Sequence, residues 1–200
     1  ISLLILNNLS FAEDFYFEGD EIEIINNGEI LKSNKGVKVT SSSGVVITAQ
    51  EFEYNKNNFE LTLKKNVLVN DKVNNLIIKT NKIKYLKNIE QIQTFEDTEI
   101  ELEKNIIIIT KNLIYSKNSN EIYSKHKTMV KDKYQNSFIT NDFVLNTSNK
   151  VLKAKDVTLR DSNGNISYFK NFFSDIQKNE FYGKDIKMNF SNKSFGNSLN

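Results

Sequence analysis

Length, composition and charge exclude several classes of protein. The chain has 200 residues, which suits one domain with enough chain to bury a core. Its 27 basic and 25 acidic residues leave a net charge of +2, so it lacks the strongly basic surface that binding to nucleic acid requires. Because the chain contains no cysteine, thiol nucleophiles, thiolate metal ligands and disulfides are all excluded.

The first twelve residues predict the end of an export signal. An apolar run, Leu3–Leu6, precedes Ser10-Phe11-Ala12, which places small residues at the two positions that a signal peptidase reads. We expect cleavage after Ala12. The run is too short, and too interrupted by Asn7 and Asn8, to span a membrane. A buried first strand is the alternative interpretation.

The first predicted strand, FYFEGDEIEII, covers residues 15–25 and opens the sheet. A strand at the end of a sheet has one unpaired edge, which can template a strand from another chain. We expect Ile22 and Ile24 to lie on this partner edge and a similarly shaped protein to dock there by strand addition. The acidic residues of the strand would discourage pairing between two copies of the same edge. An edge that is only protected by charge is the alternative.

A repeat of about 30 residues follows, and alternating apolar residues predict strands throughout it. Three segments align residue by residue: GVVITAQEFEY (44–54), NLIIKTNKIKY (75–85) and NIIIITKNLIY (105–115). Each has an apolar residue, a small or hydroxyl residue two later, an apolar residue three after that, and then Tyr. These four columns extend to six units, and in the sixth they fall on Phe169, Asn171, Ser174 and Ile176.

Asn-rich clusters follow the fourth column in the same phase and predict hairpin turns, since Asn and Gly tolerate positive φ. Each unit is therefore a strand, a turn and a strand, and the units bury their apolar faces only by stacking. The predicted fold is all-β and elongated. We expect the central columns to share one interior, formed by Ile47, Phe52, Tyr54, Ile78, Ile83, Tyr85, Ile108, Leu113, Tyr115, Phe138 and Phe143.

Catalytic and metal-binding patterns are not found in the sequence. His126 is the only histidine and lies among lysines, and there is no Gly-rich phosphate loop or nucleophile elbow. The position before the third column does not place acids on adjacent central units, as stacked catalytic acids would require: it holds Glu21, Glu51, Lys82, Asn112, Asp142 and Phe173. We therefore expect no enzyme, cofactor or metal. An exported polysaccharide-modifying β-helix or a structural solenoid stays as the alternative.

The repeat, with its small residue, apolar residue, Tyr and Asn-rich hairpin, resembles the OstA-like family of lipopolysaccharide transport proteins. This family includes LptA, LptC and the periplasmic N-terminal domain of LptD. The similarity covers residues 15–190, and GVVITAQEFEYNKNNFELTLKKNVLV (44–69) is the most family-like stretch. The ending GKDIKMNFSNKSFGNSLN is most similar to the LptD domain, while a free-standing LptA-like bridge is the alternative.

The resemblance implies an open β-jelly roll over residues 13–190, followed by a polar tail or linker, 191–200, that could lead to an outer-membrane barrel. It implies a periplasmic location at the outer membrane and interior residues that line a path for lipid A acyl chains. The implied partners are lipopolysaccharide and another jelly-roll protein of the same pathway. One departure is that some LptD proteins join this domain to the barrel through disulfides, and this chain has no Cys.

Overall fold

Strands make up nearly all of the regular structure. The computed structural model describes residues 15–178 and 180–191, which form 19 β-strands and two single-turn 3₁₀ helices, Asn26–Gly28 and Lys87–Ile89. The predicted all-β class is confirmed. No helix within these described ranges is long and apolar enough to cross a membrane. The predicted signal segment, residues 1–12, and residues 192–200 of the predicted tail lie outside the described residues.

The strands are numbered in chain order. The first nine are β1 (Phe15–Glu18), β2 (Glu23–Ile25), β3 (Ile30–Ser33), β4 (Val37–Ser41), β5 (Val46–Ala49), β6 (Glu51–Asn55), β7 (Glu60–Asp71), β8 (Leu76–Leu86) and β9 (Gln91–Leu102). The others are β10 (Ile106–Lys111), β11 (Ile114–Ser116), β12 (Glu121–Ser124), β13 (Thr128–Asp132), β14 (Ser137–Thr140), β15 (Asp142–Asn146), β16 (Val151–Arg160), β17 (Ile166–Asp175), β18 (Glu180–Lys184) and β19 (Lys187–Asn189).

The strands form two facing sheets that share the long strands β7, β8, β9, β16 and β17. The first sheet has the order β1-β4-β5-β7-β8-β9-β10-β13-β14-β16-β17-β19. The second has the order β2-β3-β6-β7-β8-β9-β11-β12-β15-β16-β17-β18. All of these pairs are antiparallel and run as an open series, so the fold is an elongated, open β-jelly roll. The parallel β-helix alternative is wrong.

The chain passes from one sheet to the other along a single side, which we call the seam. Within the long strands the crossing is a β-bulge: the register shifts between Lys64 and Val67 in β7 and between Thr80 and Lys82 in β8. Glu96 of β9 adopts a φ of 70° at the same level. Bulges bend a strand and increase its twist, which lets one strand contribute to both sheets.

Buried threonine hydroxyls donate hydrogen bonds to backbone carbonyl oxygens at the seam. The Thr80 hydroxyl donates to the carbonyl oxygen of Asp97 at 2.9 Å, and the Thr140 hydroxyl donates to the carbonyl oxygen of Lys155 at 2.6 Å. A bulge leaves backbone groups without a partner in the ladder, and an unpaired buried carbonyl is costly. This gives a physical reason for the threonines in the second column of the repeat.

The apolar columns converge on one continuous core. Ten of the eleven residues expected to share the interior are buried in it: Ile47, Phe52, Tyr54, Ile78, Ile83, Tyr85, Ile108, Leu113, Tyr115 and Phe143. The eleventh, Phe138, is half-buried and packs against the same core.

The register predicted for the sixth unit is wrong by two residues. Phe169 lies opposite Val157, in the row expected for the second column, and Phe172 occupies the third column opposite Ala154. A shorter seam crossing accounts for one of these two residues, and the other arises because the prediction assumed a 31-residue step from Phe138 where the preceding step takes 30. In the fourth unit, the chain takes four residues to pass from the third-column row, at Ser124, to the second-column row, at Thr128. In β16 the same step, from Ala154 to Val157, takes three residues.

Substitutions in the tightly packed core should cost more unfolding free energy than substitutions at the C-terminal edge. Ile83 is fully buried, so Ile83→Ala should lower the free energy of unfolding by about 2–5 kcal/mol, through lost burial and a cavity. Met188 on β19 is half exposed, and Met188→Ala should cost about 1 kcal/mol or less. Urea unfolding measures both, and equal losses would contradict the packing described.

A candidate binding cleft

The hairpin turns of the two sheets face each other on the side opposite the seam, which we call the mouth. In the first sheet these turns are residues 42–45, 72–75, 103–105, 133–136 and 161–165. In the second sheet they are residues 26–29, 56–59, 87–90, 117–120 and 147–150. The mouth is bridged by polar side chains over its central part and opens into a cleft towards its C-terminal end.

The centre of the bridged part is the buried carboxylate of Asp71, at the end of β7, whose side chain is 1% exposed. The Tyr115 hydroxyl donates to Asp71 Oδ2 at 2.7 Å, and the Asn74 amide donates to the same oxygen at 3.0 Å. Lys117, from a turn of the second sheet, forms an ion pair with it at 3.0 Å. Three donors from both sheets therefore converge on one carboxylate.

These donors keep Asp71 ionised. Burial by itself would raise the pKa of Asp71, but hydrogen bonds from Tyr115, Asn74 and Lys117 outweigh it and lower the pKa below its ordinary value. The pKa of Tyr115 is raised, first by burial and then by its hydrogen bond to Asp71. The hydroxyl thus stays a proton donor at neutral pH.

Two further lysines of the second sheet reach across the mouth. Lys150 donates from Nζ to the carbonyl oxygen of Asn74 at 3.0 Å and forms an ion pair with Glu103 at 3.0 Å. Lys87 donates to the Ser42 hydroxyl at 3.1 Å and also pairs with Glu90 of its own turn. These contacts link the turns of the first sheet to those of the second.

We call this set of bridging residues the polar clasp. Its members are Ser42, Asp71, Asn74, Lys87, Glu103, Tyr115, Lys117 and Lys150. The clasp covers the central units, where the core beneath it is fully buried. In this conformation the central interior is packed with protein side chains.

The cleft begins where the clasp ends and has a volume of about 880 Å³. It lies between the sheets in the last units and ends at the C-terminal strands. Its walls are mostly apolar, and they include Ile106, Ile108, Val130, Phe138, Leu152, Leu159, Phe172, Phe181 and Met188. Clefts of this size and lining are typical of sites for small or elongated apolar ligands.

Two similar turns form the rim of the cleft in the first sheet. The carboxylate of Asp132 accepts hydrogen bonds from the backbone and side-chain amides of Asn136, at 2.9 and 2.7 Å. Asp161 and Asn165 repeat this arrangement at 2.8 and 2.7 Å. The Asn136 side chain in turn accepts from the backbone N–H of Ser162 at 3.2 Å, which links the two turns. The polar groups of the rim are thus bonded along one sheet.

The sequence-predicted residues divide between the two parts of the interior. Of the eleven predicted interior residues, Ile108 and Phe138 form part of the cleft wall, and the other nine lie in the packed core. On the predicted edge, Ile24 lies in β2 and is 67% exposed. Ile22 does not lie in a strand, because the chain crosses the seam between β1 and β2, and its side chain packs against the core. The single predicted first strand is therefore two strands.

The clasp was not predicted, although the sequence carries a signal for it. A lysine follows the fourth-column tyrosine by two residues in three successive units, as Lys56, Lys87 and Lys117. In the next unit, where the cleft opens, the same position holds Thr147 instead of a lysine. The lone His126 contacts Asn112 at 3.2 Å on the surface and takes no part in the cleft.

Comparisons with known proteins find low similarity to two solved structures. No family model matches the chain, and no curated protein matches it. LptH from Pseudomonas aeruginosa, described as the LptA-homologous periplasmic component of a lipopolysaccharide transport device, is 13% identical with a TM-score of 0.29, over 70% of this chain and 81% of LptH. The TCP10 domain of Danio rerio CPAP is 16% identical with a TM-score of 0.22, over 85% and 94%. At these TM-scores neither similarity carries an argument about fold or function.

Removing the Asp71 charge should weaken the fold measurably. Asp71→Asn leaves the Lys117 ammonium without its buried partner, and we expect a loss of about 3 kcal/mol in the free energy of unfolding at neutral pH. Asp156→Asn is the matched control, because Asp156 pairs with Lys170 on the surface and should matter little. Urea unfolding compares the two variants.

The pH dependence of the same effect has a defined sign. Because the folded-state pKa of Asp71 is lowered, its stabilising contribution is fully present above the unfolded pKa of about 3.9 and is lost as the pH falls through the folded value. The gap between the wild type and Asp71→Asn should therefore shrink in acid. A gap that stays constant from neutral pH to strongly acidic pH would contradict this account.

Proposed function

We propose that this chain is a periplasmic domain for lipopolysaccharide transport, which holds lipid A acyl chains between its sheets and passes them towards the outer membrane. The observation that carries the proposal is the C-terminal cleft, with its volume of about 880 Å³ and its apolar walls. The resemblance of the repeat to the OstA-like family supports the same role.

The cleft suits an amphiphile better than a polar substrate. Burying each methylene of an acyl chain is worth about 0.8 kcal/mol and needs no directed hydrogen bonds, so an apolar wall is sufficient for binding. The rim, in contrast, carries the polar turns of Asp132 and Asp161, which face water. An acyl chain would lie between the sheets while its sugar headgroup stays at the mouth. Such a carrier works by passive binding, with energy supplied elsewhere.

The proposal applies equally to two members of the family. A free-standing bridge of the LptA kind and the N-terminal domain of LptD both need an apolar cleft and an edge that docks to a neighbouring jelly roll. We propose the LptD domain first, on the sequence resemblance, with the bridge as the alternative.

Photo-crosslinking tests the lipid path. A photoreactive phenylalanine analogue at Phe138, which lines the cleft, should capture lipopolysaccharide. The matched control is the next residue of β14, Ile139, which is 39% exposed and faces away from the cleft. Mass spectrometry of the adducts should show capture at position 138 and little at 139. Equal capture at both positions would contradict binding between the sheets.

Edge-strand addition would join the cleft to that of a neighbour. Among the described residues, β1 pairs with β4 and β2 pairs with β3, and the other side of both strands forms the N-terminal edge. At the other end of the sheets, β18 and β19 both pair with β17. We propose that the N-terminal edge receives the C-terminal edge of another jelly roll, which would align the two interiors.

Proline substitution tests the docking edge. Neighbouring residues of a strand direct their N–H groups to opposite sides, so one of Ile24→Pro and Ile25→Pro removes an N–H that would face a partner. That variant should weaken the association with another jelly roll, measured by sedimentation, while its unfolding midpoint changes little. The other variant should mainly weaken the pairing of β2 with β3. Unchanged association in both folded variants would contradict docking at this edge.

A further inference from the structure

The pair formed by Lys150 and Glu103 belongs to both the clasp and the cleft. Both residues line the cleft, and Lys150 also donates to the carbonyl oxygen of Asn74, which lies beside the buried Asp71. The Lys150 side chain is 9% exposed. The pair therefore stands at the inner end of the cleft, with the closed interior behind it.

The change from open to closed occurs between two neighbouring strands. Ile106 of β10 lines the cleft, whereas its partner in register on β9, Leu102, is fully buried and is not part of the cleft wall. Adjacent strands are about 4.8 Å apart, so the interior closes within one strand spacing. The Lys150–Glu103 pair bridges the mouth at this point.

An acyl chain cannot pass this point without disturbing buried polar groups. To continue inwards, the chain would have to separate Lys150 from Glu103 and from the Asn74 carbonyl. A buried ammonium that loses its partners to an alkyl chain carries a large desolvation penalty, which the burial of a few methylenes does not offset.

We propose that the Lys150–Glu103 pair is the end wall that limits the length of acyl chain the cleft accepts. This inference rests on the proposed function and adds a specificity determinant to it. Affinity should rise with chain length until the terminal methyl reaches the pair, and then level off. In the rising part, each methylene should increase affinity about fourfold.

Shortening the Lys150 side chain should move the end wall further into the fold. Lys150 has a φ of 58°, which Gly and Asn adopt readily, so Lys150→Gly and Lys150→Asn shorten the side chain without backbone strain. The control is Lys153→Ala, on the outward face of β16, where the side chain is exposed. Affinities for saturated lysophosphatidylcholines that differ only in chain length are measured by displacement of a fluorescent naphthalene sulfonate.

The expected result is a plateau that shifts to longer chains in Lys150→Gly and Lys150→Asn, and stays in place in Lys153→Ala. A plateau at the same length in all of the proteins would overturn the inference, although lipid binding itself would stand. Failure of every lysolipid to bind the wild type would overturn the proposed function as well.

A second measurement needs no variant. A lysolipid of plateau length with a diazirine at its terminal methyl should label the wild-type protein next to the wall, in the peptides that contain Glu103, Ile106 and Lys150. Labelling at Leu113 or Tyr115, behind the wall, would overturn the inference even where the Lys150 variants do not fold.

Discussion

The structure depends on the fact that each unit of about 30 residues has an apolar face that only the next unit can cover. A strand, a turn and a strand cannot close a core alone, so the units stack and the core grows along the chain. The crossing from one sheet to the other then recurs at the same level in every unit. In the long strands bulges make this crossing, and hydroxyls such as that of Thr80 satisfy backbone groups that the bulges leave without partners. One side of the fold is thereby joined, and the other side is left as a mouth.

What happens at the mouth differs along the stack. In the central units, lysines of the second sheet reach carboxylates and carbonyls of the first sheet. The Asp71 carboxylate accepts hydrogen bonds from residues of both sheets. In the last units this bridging stops, and the sheets separate around an apolar cleft. The same fold thus contains a closed, packed part and an open part. The proposed carrier role belongs to the open part, and the clasp sets where it begins.

The sequence predicted the all-β class, the hairpin repeat and the shared core, because these depend on local periodicity. The register of Phe169 was wrong by two residues. One of them arises because β16 crosses the seam one residue sooner than the preceding unit, and no local pattern marks this. The cleft could not be predicted either. It depends on which side chains meet across the mouth, and Lys150 and Asn74, which do so, are separated by 76 residues. The lysines that follow the Tyr column were a visible signal, but only the fold shows that two of them, Lys87 and Lys117, bridge the sheets.

The most direct test of this account is a set of isotope-filtered NOEs between an unlabelled acyl chain and the ¹³C-labelled methyl groups of the protein. These NOEs report short-range contacts for each methyl separately. We expect them at Ile106, Leu159 and Met188, in the cleft, and not at Ile78, Ile83 or Leu113, beneath the clasp. NOEs to Ile83 and Leu113 with none to the cleft methyls would contradict the division of the interior into a closed and an open part.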